Sequence, residues 1–329
     1  MTLEFLQIVW FALVGILLVA FLTTGGFDFG AGIVIGFGGG KRSRDLAIKK
    51  ILPFWDANQV WLITAGGALF AAFPLVYAQI LSTMYTPVML LLMLLVVRVI
   101  GIEFYFLEDG DKWRNFWANV IFVSSSLSVI LIGVALGAIF SGAVLQESKG
   151  FWDNFCGLFN LLSIASGMLV FAFFAAYGAR FLAAKSQTAN ANANPFAKRA
   201  KLFQMLLMIV FIFYAISLML HFRGRADMFV CVVGLAISYV CLSASSRLGR
   251  RNKLYLAFFA DSAFVLAIVA THCIVAFPYI IPSSDLAGGI AISEASSSLY
   301  TLKTMLIVAL VGVPLAIGYN VYAHNVFRK

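Results

Sequence analysis

The amino-acid sequence predicts an all-α polytopic membrane protein with about nine transmembrane helices. Hydrophobic residues make up 62% of the 329 positions and charged residues 11%, whereas soluble domains are roughly half apolar and a quarter charged. The apolar segments are continuous and long enough to cross a hydrocarbon core of about 30 Å as helices. Strands of a membrane β-barrel would instead alternate apolar and polar residues over about ten positions. We therefore expect one integral membrane domain over residues 1–329.

Nine apolar segments carry this prediction. Each contains about 20 or more mainly apolar residues, the length that a helix needs to span a bilayer. The first segment lacks the basic start of a secretory signal peptide, and it is longer than the apolar region of such a peptide. We therefore interpret it as a spanning helix. The predicted helices lie near residues 4–38, 54–80, 84–106, 114–142, 154–182, 201–222, 227–246, 254–281 and 301–323.

The basic residues predict the orientation of these helices, because cytoplasmic loops are rich in lysine and arginine. Most of them follow the odd-numbered helices, so we expect the amino terminus outside and the carboxyl terminus in the cytoplasm. The residues assigned to the cytoplasmic side are Lys41, Arg42, Arg44, Lys49, Lys50, Lys112, Arg114, Arg180, Lys185, Lys198, Arg199, Lys201, Arg247, Arg250, Arg251, Lys253, Arg328 and Lys329. Nearly all of the net charge of +9 comes from these short cytoplasmic loops, where basic residues set the orientation and face anionic lipid. No nucleic-acid partner is therefore expected. A polar segment predicts a flexible cytoplasmic linker over 184–200.

Charged residues inside the apolar segments mark the candidate site. A charge near the bilayer centre costs about 2.5–3.5 kcal/mol on insertion scales, so each one needs a partner or a function. Asp28, Asp56, Arg98 and Asp261 fall in predicted helices, on the cytoplasmic side of the midplane in the expected orientation. We expect a polar route for protons from the cytoplasm, with the three carboxylates relaying protons and Arg98 tuning their pKa values.

Structural interpretations of the same residues stay open. Asp56 could cap the second predicted helix, because the positive end of a helix favours a carboxylate. Arg98 could neutralise Asp28 in a structural ion pair. Asp261 lies near a helix end, from which its side chain could reach the membrane interface.

Two glycine-containing segments predict close helix packing, because small residues let helix backbones approach each other in a membrane. Residues 25–32 (GGFDFGAG) place Asp28 at such a contact between helices. Residues 66–68 (GGA) predict the same close packing for the second helix.

The histidines and cysteines predict that this chain holds neither haem nor metal. Haem in a helix bundle usually takes His or Met ligands, and the chain contains only His221, His272 and His324. A bis-His site formed by His221 and His272 is the alternative, because both fall toward the outer side. The four cysteines have no C-x-x-C spacing, so neither a disulfide framework nor a thiolate metal site is expected.

Five segments combine unusual residues in a fixed order, and together they resemble subunit II of the cytochrome bd-type quinol oxidases, a family that includes the cyanide-insensitive oxidases. The second segment is long and the most specific. The segments are 26–30 (GFDFG), 55–74 (WDANQVWLITAGGALFAAFP), 98–101 (RVIG), 113–115 (WRN) and 277–284 (FPYIIPSS).

The resemblance implies two four-helix bundles plus a peripheral helix, paired with a similarly folded subunit I that carries haems b and d. In that family the complex lies in the plasma membrane of bacteria or archaea. It oxidises quinol near the outer surface and reduces dioxygen to water with protons from the cytoplasm. Subunit II binds no haem there, although in some members it holds a structural quinone, and membrane lipid and small single-helix accessory subunits are further expected partners.

The resemblance also implies roles for individual residues. Asp56 matches a carboxylate that takes up protons and passes them toward subunit I. Asp28 and Arg98 match a pair that shapes the subunit interface or the haem environment. The head of the second helix would add interface or electrostatic contacts from Trp55, Asn58 and Gln59.

A secondary transporter and a purely structural scaffold subunit are the alternative functions. A transporter would use the intramembrane charges as an ion or substrate site. Transporters commonly show repeats and broken helices in matched positions of their two halves, with the site at the midplane. We find no convincing repeat, and the charges cluster at cytoplasmic depth. The expected function is therefore a non-haem subunit of a quinol oxidase that supports subunit I and conducts protons.

Overall fold

The computed structural model is a mostly helical chain, described over residues 2–38, 40–145, 155–186, 194–223, 228–251, 253–284 and 288–326. Two short strands, β1 (Tyr279–Pro282) and β2 (Gly289–Ala291), pair antiparallel. The helices are α1 (Leu3–Ile35), α2 (Gly40–Ile51), α3 (Trp55–Ala72), α4 (Pro74–Thr83), α5 (Tyr85–Phe104), α6 (Asp111–Phe140), α7 (Leu161–Lys185), α8 (Pro195–His221), α9 (Met228–Arg250), α10 (Leu254–Ala276), α11 (Ile292–Ala295) and α12 (Leu299–Val326).

Seven of the described helices are long and apolar enough to cross a membrane, namely α1 and α5 to α10. An eighth is obtained if α3 and α4 count as one span, and α12 contributes a shorter apolar part, Leu299–Leu315. The expected all-α polytopic membrane protein is therefore confirmed. The count of nine spans stays a prediction.

The single helix predicted over 54–80 is in fact two helices. α3 and α4 meet at Phe73 and diverge by 119°. Pro74 is the first residue of α4; it lacks an N–H group and disfavours a helical conformation in the residue before it. Ser297 binds the carbonyl groups that the break leaves free, with its N–H on Ala72 at 2.9 Å and its hydroxyl on Ala71 at 2.6 Å.

Other predicted boundaries also differ from the observed ones. The helix predicted over 254–281 ends at Ala276, because Pro278 stops it and the chain then enters β1. The predicted linker over 184–200 is shorter than expected, since α7 continues to Lys185 and α8 already begins at Pro195. Residues 187–193 of that linker lie outside the described residues. α2 lies in a segment that the sequence analysis treated as a basic loop.

The spanning helices pack around α1 and α7. α1 contacts α3, α6, α7 and α10, and α7 contacts α6, α8 and α10 in addition. α5 packs on α6, and α9 packs on α10. One large apolar core includes Phe29 of α1 and Phe174 of α7, and a smaller core includes Trp10 and Phe73. α1 and α7 therefore join the earlier helices of the chain to the later ones.

Glycines account for the close contact between α1 and α7. A Cβ added to Gly30 or Gly178 would collide with the backbone of the other helix, so the close packing predicted for residues 25–32 is confirmed. The prediction for residues 66–68 is wrong within this chain. Nothing lies within 4 Å of a Cβ added to Gly66 or Gly67, although Ala65 is buried and Ala68 packs against the smaller apolar core.

Candidate functional site

Asp28 and Arg98 form an ion pair inside the helix bundle. Arg98 Nη2 donates to Asp28 Oδ1 at 2.6 Å, and both side chains are completely buried. Arg98 Nε also donates to Ser125 Oγ of α6 at 3.0 Å, and its guanidinium lies 4.1 Å from the centre of the Phe29 ring. The ion pair that the sequence left open as an alternative is therefore present, and it joins α1, α5 and α6.

Two glycines make room for this pair, because they have no side chain. A Cβ on Gly32 would collide with Ser125, so this glycine lets α1 approach the serine that binds Arg98. A Cβ on Gly101 would lie 2.9 Å from Ile121, so this glycine lets α5 approach α6. The glycines near Asp28 and Arg98 thus place both charges where three helices meet.

The Asp28 and Arg98 pair has unused hydrogen-bonding groups. Within the described residues, Asp28 Oδ2 and Arg98 Nη1 have no hydrogen-bond partner. Asn58 of α3 is buried and its side chain interacts with Asp28, although its Nδ2 atom makes no well-aligned hydrogen bond in that part of the chain. Buried polar groups normally find partners, so this centre can still accept a proton or bind a further polar group.

Asp56 lies two residues before Asn58, on the first turn of α3, and it is exposed. Among the described residues, no side chain caps the start of α3 through a hydrogen bond. Asp56 also has no ion pair there. Its neighbour Trp55 donates from Nε1 to Glu103 Oε1 at the end of α5, at 3.2 Å. Gln59 is half-buried on the next turn. Polar groups thus lie at the exposed start of α3, from Asp56 and Glu103, and beside Asp28, from Asn58.

An exposed stripe runs along α3 from Asp56. Its five residues are spaced alternately by four and three positions, so they share one face of the helix. We call this surface the α3 stripe; it consists of Asp56, Val60, Ile63, Gly67 and Phe70. The stripe is apolar apart from the carboxylate at its first residue.

Asp261 belongs to a second buried arginine centre that the sequence analysis missed. Arg180 Nη1 donates to Asp261 Oδ2 and, at 2.5 Å, to Ser245 Oγ, while its Nη2 donates to Gln204 Oε1 at 2.6 Å. Ser245 in turn donates to Asp261 Oδ1. The assignment of Arg180 to a loop is wrong, as is the interpretation of Asp261 as a residue that reaches the interface, since their side chains are 5% and 2% exposed.

A charged network fixes the turn between α5 and α6, and sequence reasoning did not find it. Asp45 of α2 accepts a hydrogen bond from Tyr105 at 2.8 Å and pairs with Arg114 at 3.0 Å. Burial, and then the bond to Asp45, raises the pKa of Tyr105, which keeps this hydroxyl a donor. Trp113 Nε1 donates to the carbonyl of Phe104 at 2.8 Å. The network holds the end of α5, and hence Glu103, beside α3.

The alternative of a haem held by His221 and His272 requires a free imidazole nitrogen. His272 Nε2 bonds the hydroxyl of Tyr214 at 2.8 Å, and its Nδ1 bonds the carbonyl of Ile268 at 2.8 Å. Ligation by His272 would have to break one of these bonds. Within the described residues, no three His, Cys, Asp or Glu side chains lie together in a way that could hold a metal ion.

Comparisons with known proteins agree over the whole chain. The family model described as "Cytochrome bd terminal oxidase subunit II" matches residues 6–327. The chain is 32% identical to cytochrome bd-I ubiquinol oxidase subunit 2 of Escherichia coli K12, with 98% of this chain and 94% of the relative covered. It is 33% identical to cytochrome bd ubiquinol oxidase subunit 2 of Bacillus subtilis, with 97% and 95% covered. A chain of the solved bd oxidase from Geobacillus thermodenitrificans has a TM-score of 0.79 and covers 98% of both chains at 17% identity, which establishes similarity of fold.

Proposed function

This chain belongs to the cytochrome bd terminal oxidase subunit II family, and from that premise we propose that it conducts protons to a haem-bearing subunit I. In this proposal the complex oxidises quinol and reduces dioxygen, while the haems b and d reside on subunit I. The observation that carries the proposal is the buried Asp28 carboxylate, which keeps one oxygen unbonded within the described residues and lies beside Asn58, two residues after the exposed Asp56.

The proposed route begins at Asp56 and Glu103. The indole of Trp55 holds Glu103 at 3.2 Å beside the start of α3, so two carboxylates mark the surface end. Asn58 connects this end with Asp28. Intramembrane carboxylates that keep free lone pairs are suited to accept and release protons. Asp261, the third predicted member, has both oxygens engaged, so we limit the proposed route to Asp56, Glu103, Asn58 and Asp28.

We place subunit I on the α3 stripe. Ile63 and Phe70 are 73% and 59% exposed, and Gly67 has open space above it. A glycine on an apolar helix face permits another helix to pack closely in a membrane. Since Asp56 is the first residue of the stripe, the surface end of the proposed route would lie next to the partner. This contact would also use Trp55 and Gln59, which flank the carboxylate.

The membrane arrangement that fits this role is the one the basic residues predict. We propose nine spans in two four-helix bundles with α12 peripheral, the amino terminus outside and the carboxyl terminus in the cytoplasm of a bacterial or archaeal cell. α2 and the turn between α5 and α6 then face the cytoplasm, where protons are taken up. Because α4 diverges from α3 by 119°, we place α4 along the outer surface.

The proposal is tested by replacing Asp56 with Asn in the complex with subunit I. We expect turnover with quinol to fall by roughly 10²-fold, the lower end of the effect of losing a positioned proton-transfer group, while the haem spectrum is retained. Glu108→Gln is the matched control, because Glu108 is an exposed carboxylate after the end of α5. Turnover and proton uptake that are unchanged in Asp56→Asn would refute the proton route, and a haem-free chain that transports a solute would refute the family role.

A further inference from the structure

The inner face of α2 fixes how this helix lies on the protein. Ala47, Ile48 and Ile51 are completely buried, and α2 packs on α1 and α7. These three residues follow the spacing of one helical face. The opposite face of α2 is therefore directed away from the body of the chain.

A second face of α2 has its charged side chains engaged with the rest of the protein. Lys41 pairs with Asp111 at 2.7 Å, and Asp45 pairs with Arg114 at 3.0 Å. Arg44 donates to the side-chain oxygen of Asn115 at 2.5 Å. The lone acidic residue of α2 is thus already used, and it cannot neutralise other cations on the helix.

The third face carries Arg42, Lys49 and Lys50. The two lysines follow Arg42 by seven and eight residues, a spacing that places all three on one side of a helix, opposite the buried residues. None of the ion pairs among the described residues includes them. Lys49 lies over the ring of Phe106, 5.6 Å from its centre. This outer face, which we call the α2 cationic face, therefore keeps its full positive charge.

Arg199 adds a cation near the beginning of α2. Its Nη2 atom lies 3.9 Å from the position that a Cβ added to Gly38 would take, and Gly38 lies two residues before α2. Its Nη1 atom is buried and has no hydrogen-bond partner within the described part of the chain. A buried guanidinium N–H is expected to have an acceptor, and phosphate oxygens match the fork geometry of arginine.

Apolar side chains flank the α2 cationic face. Phe37 before α2 is 49% exposed, and Leu52 directly after it is 37% exposed. Exposed apolar residues beside a row of lysines and arginines are typical of a helix that lies in the plane of the membrane interface. The cations would then be at the depth of the lipid headgroups.

We propose that the α2 cationic face, together with Arg199, binds the phosphate groups of anionic phospholipids. Charge complementarity selects this occupant, because the face carries unpaired cations and joins two helices that enter the membrane. Attraction to an anionic leaflet adds up over basic residues, at about fivefold in affinity for each one near the surface. The site goes beyond the proton route, which it neither uses nor requires.

The test titrates the complete oxidase complex in detergent with a photoreactive phosphatidylglycerol and maps cross-linked peptides by mass spectrometry. We expect cross-links to residues 40–51 that unlabelled phosphatidylglycerol displaces and phosphatidylcholine does not. The variant Arg42→Gln, Lys49→Gln, Lys50→Gln should weaken this labelling by about fivefold for each charge removed, and raised ionic strength should weaken it in the unmodified complex.

The variant Arg247→Gln, Arg250→Gln, Arg251→Gln is the control, because it removes the same charge from exposed arginines at the end of α9. It should leave labelling of residues 40–51 unchanged. If the triple α2 variant does not assemble with haem, the single Lys50→Gln variant replaces it, with an expected loss of about fivefold. The proposal is overturned if phosphatidylcholine competes equally, if the α2 variants label like the unmodified complex, or if residues 40–51 are not labelled because subunit I covers them.

Discussion

Arg98 and Arg180 are both buried, and each pairs with an aspartate, Asp28 in one case and Asp261 in the other. Each guanidinium also donates to a serine on a neighbouring helix. The shared pattern reflects one requirement, because a buried charge is tolerated only when it is paired and hydrogen-bonded. The two centres differ in how many of their polar atoms are used.

The Arg180 centre is nearly complete, whereas the Arg98 centre is open. Both oxygens of Asp261 accept hydrogen bonds, and Arg180 donates from both terminal nitrogens. Asp28 Oδ2 and Arg98 Nη1 have no partner within the described residues. Within the described residues, Gln204 Nε2 is left without a partner in the Arg180 centre, but it is an amide donor that does not accept a proton. That centre therefore holds its helices together and has little capacity for another proton. The open centre has that capacity, so we propose a structural role for the Arg180 centre and a role in proton transfer for Asp28 of the Arg98 centre.

The largest expected effect is the loss of an arginine. Arg180→Ala leaves Asp261 buried without its partner, which costs about 3–5 kcal/mol of stability. Arg98→Ala likewise leaves Asp28 buried without a partner. We expect Arg180→Ala to be the more destabilising, because Gln204 and Ser245 lose a partner as well. Thermal unfolding of the complex, followed by haem absorbance, measures this difference. Arg247→Ala, an exposed control, should change stability by less than about 0.5 kcal/mol; an equally small change in Arg180→Ala would contradict the structural role.

A smaller effect is expected from the serines. Ser245 accepts from Arg180 and donates to Asp261, whereas Ser125 only accepts from Arg98. Hydrogen bonds to charged groups contribute about 1.5–3 kcal/mol each, so Ser245→Ala should lower the free energy of unfolding more than Ser125→Ala. Ser238→Ala is the control, because that buried hydroxyl donates to the carbonyl of Gly234 in its own helix. A larger loss in Ser125→Ala would break the comparison.

The amides give the smallest change in stability and the sharpest contrast in function. Gln204 accepts from Arg180, so Gln204→Ala should cost about 1.5 kcal/mol and leave quinol turnover unchanged. Asn58 interacts with Asp28, but its Nδ2 makes no well-aligned hydrogen bond within the described residues, so Asn58→Ala should cost less than about 1 kcal/mol and slow proton uptake. Unfolding and steady-state oxygen consumption of both variants check this. Slower turnover in Gln204→Ala alone would reverse the assignment.

Both charges of the first centre were found from the sequence, whereas only Asp261 of the second centre was found and Arg180 was not. Asp28 and Arg98 each interrupt a long apolar run, where a charge stands out. Arg180 lies near the end of its run, where basic residues usually mark a cytoplasmic loop. The signal that could have placed it is the apolar sequence Phe181–Ala184 directly after it, which continues α7 to Lys185.

The break between α3 and α4 also had a local signal, and α2 had a weaker one. Pro74 predicts a helix boundary at Phe73, but the apolar run continues across it and was interpreted as one helix. α2 has a short apolar face, which is hidden among its basic residues. The role of Asp45 depends on Tyr105 and Arg114, about 60 to 70 residues later in the chain, and such pairing is not visible in sequence spacing.

The central claim is tested most directly by comparing Asp28→Asn with Asp261→Asn in complexes of equal haem content. Proton uptake during quinol oxidation is measured for both in sealed vesicles. The account predicts slow proton uptake and slow turnover in Asp28→Asn, and normal rates with lower thermal stability in Asp261→Asn. Equal rates in the two variants, or a slow Asp261→Asn beside a normal Asp28→Asn, would contradict it.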